Sequence, residues 1–256
     1  MGNHMLDSGL QLLLICVVLV FSITINAKPL TIAVATNFLT TMEELSERFS
    51  SDKDADLTIV SGSSGQLVAQ IRAGAPFDVL FSADQKRVDA LVELNLAELN
   101  SRFTYANGEL AFYLNPKNSK DLSAQEVFEN LSCDSIIIAN PKVAPYGQAA
   151  KDVINQIKSE DGLEESVVLA ENVNQAFSTT HTGNVDCGFV AFSAILAKST
   201  DKQFFYKIPH EYYSPIKQDA VILKSSKSPK LSQKFFDFVQ SQEAKDLIRE
   251  HGYLVD

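Results

Sequence analysis

The chain lacks any cluster of lysine and arginine. It carries 22 Lys and Arg against 32 Asp and Glu, a formal net charge of -10. Nucleic-acid binding needs a basic patch or stripe, so that class is set aside. The same balance means that long-range steering repels an anion, and any anion site must work through local dipoles and hydrogen bonds. Histidine is scarce: the four, at positions 4, 181, 210 and 251, show no metal-ligand spacing. Low-complexity tracts are absent, and no internal repeat of roughly 20–50 residues is found. The G-x-S-x-G elbow of serine hydrolases does not occur. What is present is an ordinary globular composition, 45% apolar over 256 residues. That is enough for one large domain or two small ones.

Only one hydrophobic run is long. It reads GLQLLLICVVLVFSITINA and ends at Ala27, before Lys28 and Pro29. An apolar run closed by a small residue resembles a secretory signal, and residues 1–27 are expected to be a cleaved signal peptide, with the mature protein in the periplasm. The rival is a retained membrane anchor, but the uncharged core of roughly 16–18 residues is at or below the length that crosses a bilayer. Cys16 lies inside this run and follows a bulky Ile15, unlike a lipoprotein signal. Two cysteines remain, Cys133 and Cys187, each preceding an apolar strand-like run. In an oxidising compartment they could pair; the alternative is two buried thiols.

From Lys28 onward, short apolar runs alternate with helical patterns. LTIAVAT, DLTIVSG and FDVLFSA read as strands, with TMEELSERFSS, GQLVAQIRAG and QKRVDALVELN as helices. FTYANGELAFYLNP breaks this rhythm, and its Asn107-Gly108 predicts a turn and a crossing segment. A second α/β series follows, from SIIIANP to CGFVAFSAIL, then the extended YYSPIKQDAVIL and two C-terminal helical patterns. Strands separated by helices mean βαβ units and mainly parallel sheets. Two such series, joined by crossings near 104–114 and 212–223, predict an α/β protein of two lobes. Lobe 1 is discontinuous, 28–107 plus 213–256, and lobe 2 is 108–212. A hinge and an interlobe ligand cleft follow, since open α/β sheets bind ligands beyond the carboxyl ends of their strands.

The stretch Ser61–Ile71, SGSSGQLVAQI, places two serines between two glycines just before a helical pattern. A nucleotide phosphate is the first guess, but a P-loop ends in Gly-Lys-Ser/Thr, and here Gly65 is followed by Gln66 and Leu67. The loop has no cation to offer. Three other strand-to-helix junctions share its character: Ala35-Thr36-Asn37-Phe38, Ala144-Pro145-Tyr146-Gly147 and Asn172-Val173-Asn174. Helix N-termini carry unpaired N–H groups and about half a positive charge. One such Ser or Thr is ordinarily just a cap. Four converging junctions would hold a small anion with neutral groups alone.

The segments ATNF, SGSSG, GAPFDVLFSAD, RFTYANG, NPKVAPYG, ENVNQA and GFVA, in this order, resemble the molybdate-binding proteins of ABC transporters. The resemblance runs from about Pro29 to Val255. It implies a type II periplasmic binding protein fold that captures molybdate, and tungstate with it, in the interlobe cleft, as a monomer that delivers to a membrane permease. It implies no enzymatic activity, no cofactor and no direct metal-cation ligands. Carried over residue by residue, the oxyanion ligands would be Thr36, Asn37, Ser64, Tyr146 and Val173. The first three would supply side-chain or backbone donors, and Tyr146 and Val173 backbone N–H groups. One position departs: many members place a tyrosine hydroxyl on the anion from the strand that here reads GFVAFS, where this chain has Ala191.

Molybdate and tungstate are fully deprotonated dianions at neutral pH and need only donors, whereas phosphate keeps a proton and wants an acceptor. No Asp or Glu lies in the first three loops; Glu171 borders the fourth and is expected to face solvent. Sulfate is also a donor-only dianion, and the same fold binding sulfate or another tetrahedral oxyanion is the alternative. A more distant one is a serine hydrolase using Ser63 or Ser64, which needs a histidine base among His181, His210 and His251. Hydrogen bonds to a charged group contribute ~1.5–3 kcal/mol each. Around six or seven nominally exceed the ~12 kcal/mol of a nanomolar complex, the surplus being absorbed by desolvation and lobe closure. No lysine or arginine is required.

Overall fold

A computed structural model describes residues 29–53, 55–117, 122–157, 167–198 and 200–256. The expected signal peptide lies outside the described residues. Among the described residues, ten strands form two five-stranded sheets. The first contains β1 (Leu30–Ala35), β2 (Leu57–Gly62), β3 (Val79–Phe81), β4 (Phe103–Gly108) and, from much later in the chain, β10 (Ile216–Ile222). Its order is β2-β1-β3-β10-β4. The second contains β5 (Leu110–Leu114), β6 (Ile136–Ala139), β7 (Val167–Ala170), β8 (Cys187–Ala191) and β9 (Phe205–Lys207), in the order β7-β6-β8-β5-β9.

The helices are α1 (Leu39–Lys53), α2 (Ser64–Arg72), α3 (Lys86–Glu93), α4 (Ala124–Asn130), α5 (Pro145–Ile157), α6 (Val173–Thr182), α7 (Phe192–Ala197), α8 (Pro229–Val239) and α9 (Gln242–Glu250). Each sheet is mixed rather than mainly parallel. β1 pairs parallel with β2 and β3, and β6 parallel with β7 and β8. The βαβ rhythm dictates those three-strand groups. The antiparallel members, β10 in one sheet and β5 in the other, are where the chain crosses between sheets.

Alternation along the strands divides the core. In the first sheet Ile32, Val34 and Phe81 pack with Phe235 and Phe236 of α8 on one face. Ala33, Leu80 and Val221 pack with Leu67 and Leu91 on the other. In the second, Phe112, Ile136, Ile138 and Phe189 face Phe128 and Val153, while Ala111, Tyr113 and Val190 face Phe177 and Ile195. A sheet buried on both faces reads as continuous apolar runs, which is why LTIAVA and SIIIAN have no polar alternation.

One local expectation is corrected. Asn107-Gly108 is no hairpin turn: both residues belong to β4, and β5 begins in the other sheet. Gly108 has no positive φ; a Cβ there would lie 2.1 Å from the Tyr146 hydroxyl, so glycine is needed for close approach. Helix α4 was also not expected. Its start carries a capping box, Ser123 with Glu126, a signature the sequence displays. Cys133 and Cys187 are joined as a disulfide that ties the segment before β6 to β8, which settles the choice between a pair and two thiols.

Candidate oxyanion site

Four helix starts meet between the sheets. They follow β1 and β2 of the first sheet and β6 and β7 of the second, two matching corners of two similarly wound sheets. Thr36, Asn37, Ser63, Ser64, Ala144, Pro145, Tyr146, Asn172 and Val173, with Ala35 and Ala83, line one small cavity of about 10 Å³. That is about the room of one water molecule. All five residues singled out in the sequence, Thr36, Asn37, Ser64, Tyr146 and Val173, are therefore brought together, and all are buried. No lining side chain is charged. Glu171 is solvent-exposed and outside the lining. Ala191 is buried and also outside it.

Each junction presents its groups differently. At the first, a 3-10 turn over Thr36–Phe38 begins at the end of β1 with no side chain capping it, so its first N–H groups are left for another partner. The Asn37 side chain, by contrast, is already committed. Its Nδ2 donates to Gln218 Oε1 at 2.8 Å and lies 3.3 Å from the Tyr253 hydroxyl. Asn37 can therefore act on an anion through its backbone and not through its amide nitrogen.

At the second junction, Ser63 and Ser64 have opposite tasks. Ser63 donates from its N–H and its Oγ to Gln66 Oε1, at 3.1 and 2.8 Å, and so serves the helix start. Ser64 Oγ accepts the Ala83 N–H at 2.9 Å. No described residue takes its own hydrogen, which leaves that hydrogen to donate into the cavity.

At the third junction, Pro145 occupies the first turn of α5, where its missing N–H costs nothing. Gly147 lets α5 approach β6: a Cβ there would meet the Ala139 carbonyl at 2.0 Å. At the fourth, Asn172 Oδ1 caps α6 by accepting the Gln175 N–H at 3.0 Å, and Val173 is the first helical residue. Tyr146 and Val173 thus sit in first turns, whose N–H groups have no intrahelical acceptor.

Contacts across the cleft are made. Gly65 N–H donates to the Val143 carbonyl at 2.9 Å. Asn174 Nδ2 donates to the Thr36 carbonyl at 2.7 Å, Ser193 Oγ to the Asn37 carbonyl at 3.3 Å, and Arg87 to the Lys142 carbonyl at 3.1 Å. The lobes are closed on each other.

Beneath the cavity lies a buried polar cluster that sequence reading missed. Gln218 of β10 accepts from Asn37 and from the Tyr105 hydroxyl, at 2.9 Å, and its Nε2 donates to the Tyr146 hydroxyl at 3.3 Å. Tyr105 also reaches the Ser82 carbonyl, and Tyr253 bonds the Asn37 carbonyl. Burial raises the Tyr105 and Tyr146 phenols well above their ordinary value and pushes Tyr253 up to about 12. All three stay protonated at neutral pH and add no negative charge near the cavity. The only signal in sequence was a polar Gln218-Asp219 inside the apolar PIKQDAVIL.

Residues 30–254 match the family described as bacterial extracellular solute-binding proteins. The chain belongs to that family. As a solute-binding protein it is 36% identical to the molybdate-binding protein ModA of Rhodobacter capsulatus, over 88% of this chain and 87% of that one. It is 33% identical to ModA of Azotobacter vinelandii, over 89% and 90% of the two chains. The solved periplasmic molybdate-binding protein of Azotobacter vinelandii superposes with a TM-score of 0.82, covering 89% of this chain and 99% of that one at 36% identity. The two-lobed α/β fold of periplasmic binding proteins is the fold of this solute-binding protein as well. No helix among its described residues is long and apolar enough to cross a membrane.

Proposed function

We propose that this protein captures molybdate, and tungstate with it, outside the cytoplasm and presents it to the permease of an ABC importer. One observation carries this reading: Thr36, Asn37, Ser64, Tyr146 and Val173, from four helix starts on both lobes, surround a cavity with no charged side chain. Such a site offers donors and almost no acceptors, which suits a fully ionised tetrahedral dianion and disfavours a protonated phosphate. Backbone N–H groups at helix starts, the Ser64 hydroxyl and the Thr36 hydroxyl are the donors assigned to the anion. Relatives that bear the name molybdate-binding protein, at 33–36% identity over most of both chains, support the choice among dianions. Tungstate follows from its matching charge and shape. The Cys133–Cys187 disulfide supports export to an oxidising compartment, with residues 1–27 as the signal.

The protein is read as a binder and not a hydrolase. Neither serine has a base at hand: Ser63 is tied to Gln66 and Ser64 to Ala83. The histidines bond elsewhere, His181 with Tyr113 and His251 with Thr41 and Glu44, while His210 sits by Glu109.

Thermal unfolding of the purified protein, scanned with molybdate, tungstate, sulfate and phosphate in turn, tests this. Binding to the native state alone raises Tm. An upward shift with the first two anions, absent with the others, is expected. A shift with sulfate as large as with molybdate would overturn the assignment of the solute.

A further inference from the structure

Gln218 touches two of the four loops without lining the cavity. It lies on β10, two residues past Ile216, where that strand enters the first sheet opposite Gly108. Both chain crossings pass this point. Its side chain is wholly buried, and both ends of its amide are used. Oε1 accepts from Asn37 Nδ2 and Tyr105 Oη, and Nε2 donates to Tyr146 Oη. Asn37 belongs to the first lobe's binding loop, and Tyr146 to the second lobe's helix start. A single side chain at the crossing therefore holds one binding element from each lobe. The approach is tight: the space between Tyr146, Gln218 and β4 exists only because residue 108 has no Cβ.

We propose that Gln218 is a positioning residue for anion capture, fixing the Asn37 loop from one side and receiving the Tyr146 hydroxyl from the other, so that lobe closure over the anion is latched at one buried amide. This rests on the proposed capture of molybdate and adds the device that times release. Gln218 acts through its neighbours. With Nδ2 drawn to Gln218, the Asn37 amide is turned away from the anion and its backbone N–H is left for binding. With the Tyr146 hydroxyl engaged, the first turn of α5 is held where its N–H groups face the cavity. Opening the lobes withdraws Tyr146 from Gln218, so the bond belongs to the closed state and slows dissociation.

The test uses Gln218→Met, Tyr146→Phe and the double variant. Methionine keeps the length of the side chain and removes its hydrogen bonds, while Tyr105 retains the Ser82 carbonyl and Asn37 retains Tyr253. Molybdate affinity by calorimetry, its dissociation rate by stopped flow and the urea midpoint of the ligand-free protein are read for each. Each single variant is expected to speed dissociation at least about fivefold; Tyr146→Phe leaves the ligand-free midpoint near-unchanged, whereas Gln218→Met lowers it, since it also drops the Asn37 and Tyr105 bonds within the first lobe. The double variant is expected to go no further than Gln218→Met, because the one link that Tyr146→Phe removes is already gone there. Unchanged dissociation in the single variants, additive effects, or in Tyr146→Phe a loss of ligand-free stability that accounts for the change would overturn the proposal. If Gln218→Met does not fold, Tyr146→Phe decides alone. Failure of the unaltered protein to bind molybdate would overturn the parent reading and this one together. Binding by the unaltered protein with unaltered kinetics in the variants would overturn this one only.

Discussion

Gly65 and Val143 meet backbone to backbone across the cleft. The Gly65 N–H donates to the Val143 carbonyl at 2.9 Å, and a Cβ on residue 65 would stand 2.9 Å from the Val143 Cα. Residue 65 is the second helical position of α2 and has no positive φ. Glycine is there for the neighbouring lobe, not for its own backbone.

Gly65→Ala therefore separates binding from folding. Alanine is the better helix former, by about 0.8–1 kcal/mol in a helix interior, so the ligand-free protein is expected to be as stable or slightly more so. The added methyl obstructs closure, and molybdate affinity is expected to fall about tenfold or more, one factor of ten per ~1.4 kcal/mol. Calorimetry and urea unfolding on the same preparation check both signs.

Val173 tests whether a backbone donor is at work. It is the first residue of α6, and Asn172 before it is extended, with φ -153 and ψ 171. Proline is tolerated at a first helical position and after an extended residue. Val173→Pro deletes the N–H with the helix kept, and a loss of about 10–100-fold in anion affinity is expected, the range of one hydrogen bond to a charge. Val173→Ala keeps the N–H and is expected to change affinity less than about threefold. Equal losses in the two variants would assign the effect to packing.

The disulfide closes a long loop, with Cys133 and Cys187 separated by 54 positions. Loop-closure entropy puts its contribution near 4 kcal/mol. Replacing both cysteines by serine, or adding reductant, is expected to lower the urea midpoint markedly and leave molybdate stoichiometry at one. A midpoint that does not respond to reductant would argue that the thiols are apart in solution.

The buried phenols set an alkaline limit. Tyr253 is raised to about 12 by burial, and Tyr105 and Tyr146 are raised in the same direction. A raised acid stabilises the fold fully below its unfolded value near 10, and that contribution is lost as pH climbs through the folded value. Stability is expected to fall between about pH 10 and pH 12, by about 3 kcal/mol from Tyr253 alone. Anion affinity is expected to stay flat from about pH 6 to pH 9, because no lining group titrates there. Paired pH series of urea midpoint and Kd check this.

Much of the fold was legible because local rules agree with it. βαβ alternation marked the two series, and Gly and Pro marked the helix ends, as with Ser228-Pro229 before α8. The convergence of the five candidate residues on one cavity was legible because helix starts announce themselves in sequence. Strand direction was not, since β5 and β10 become antiparallel through crossings whose hydrogen bonds depend on partners far along the chain. Gln218 was not legible either. Its partners Asn37, Tyr105 and Tyr146 lie 181, 113 and 72 positions away, and a lone polar residue in an apolar strand reads only as an interruption. The sequence left the Asn37 side chain and backbone equally open as donors, and the same long-range partner occupies the side chain.

The central claim is that four helix starts hold a tetrahedral dianion without a cation. Calorimetric titration of the chain from Lys28 onward with molybdate, repeated with sulfate at equal ionic strength, tests it most directly. One-to-one binding of molybdate, weakened at least tenfold by Ser64→Ala, with little or no heat from sulfate, is the predicted result. No binding of molybdate, or binding that Ser64→Ala leaves untouched, would contradict it and reduce the four junctions to capped helices.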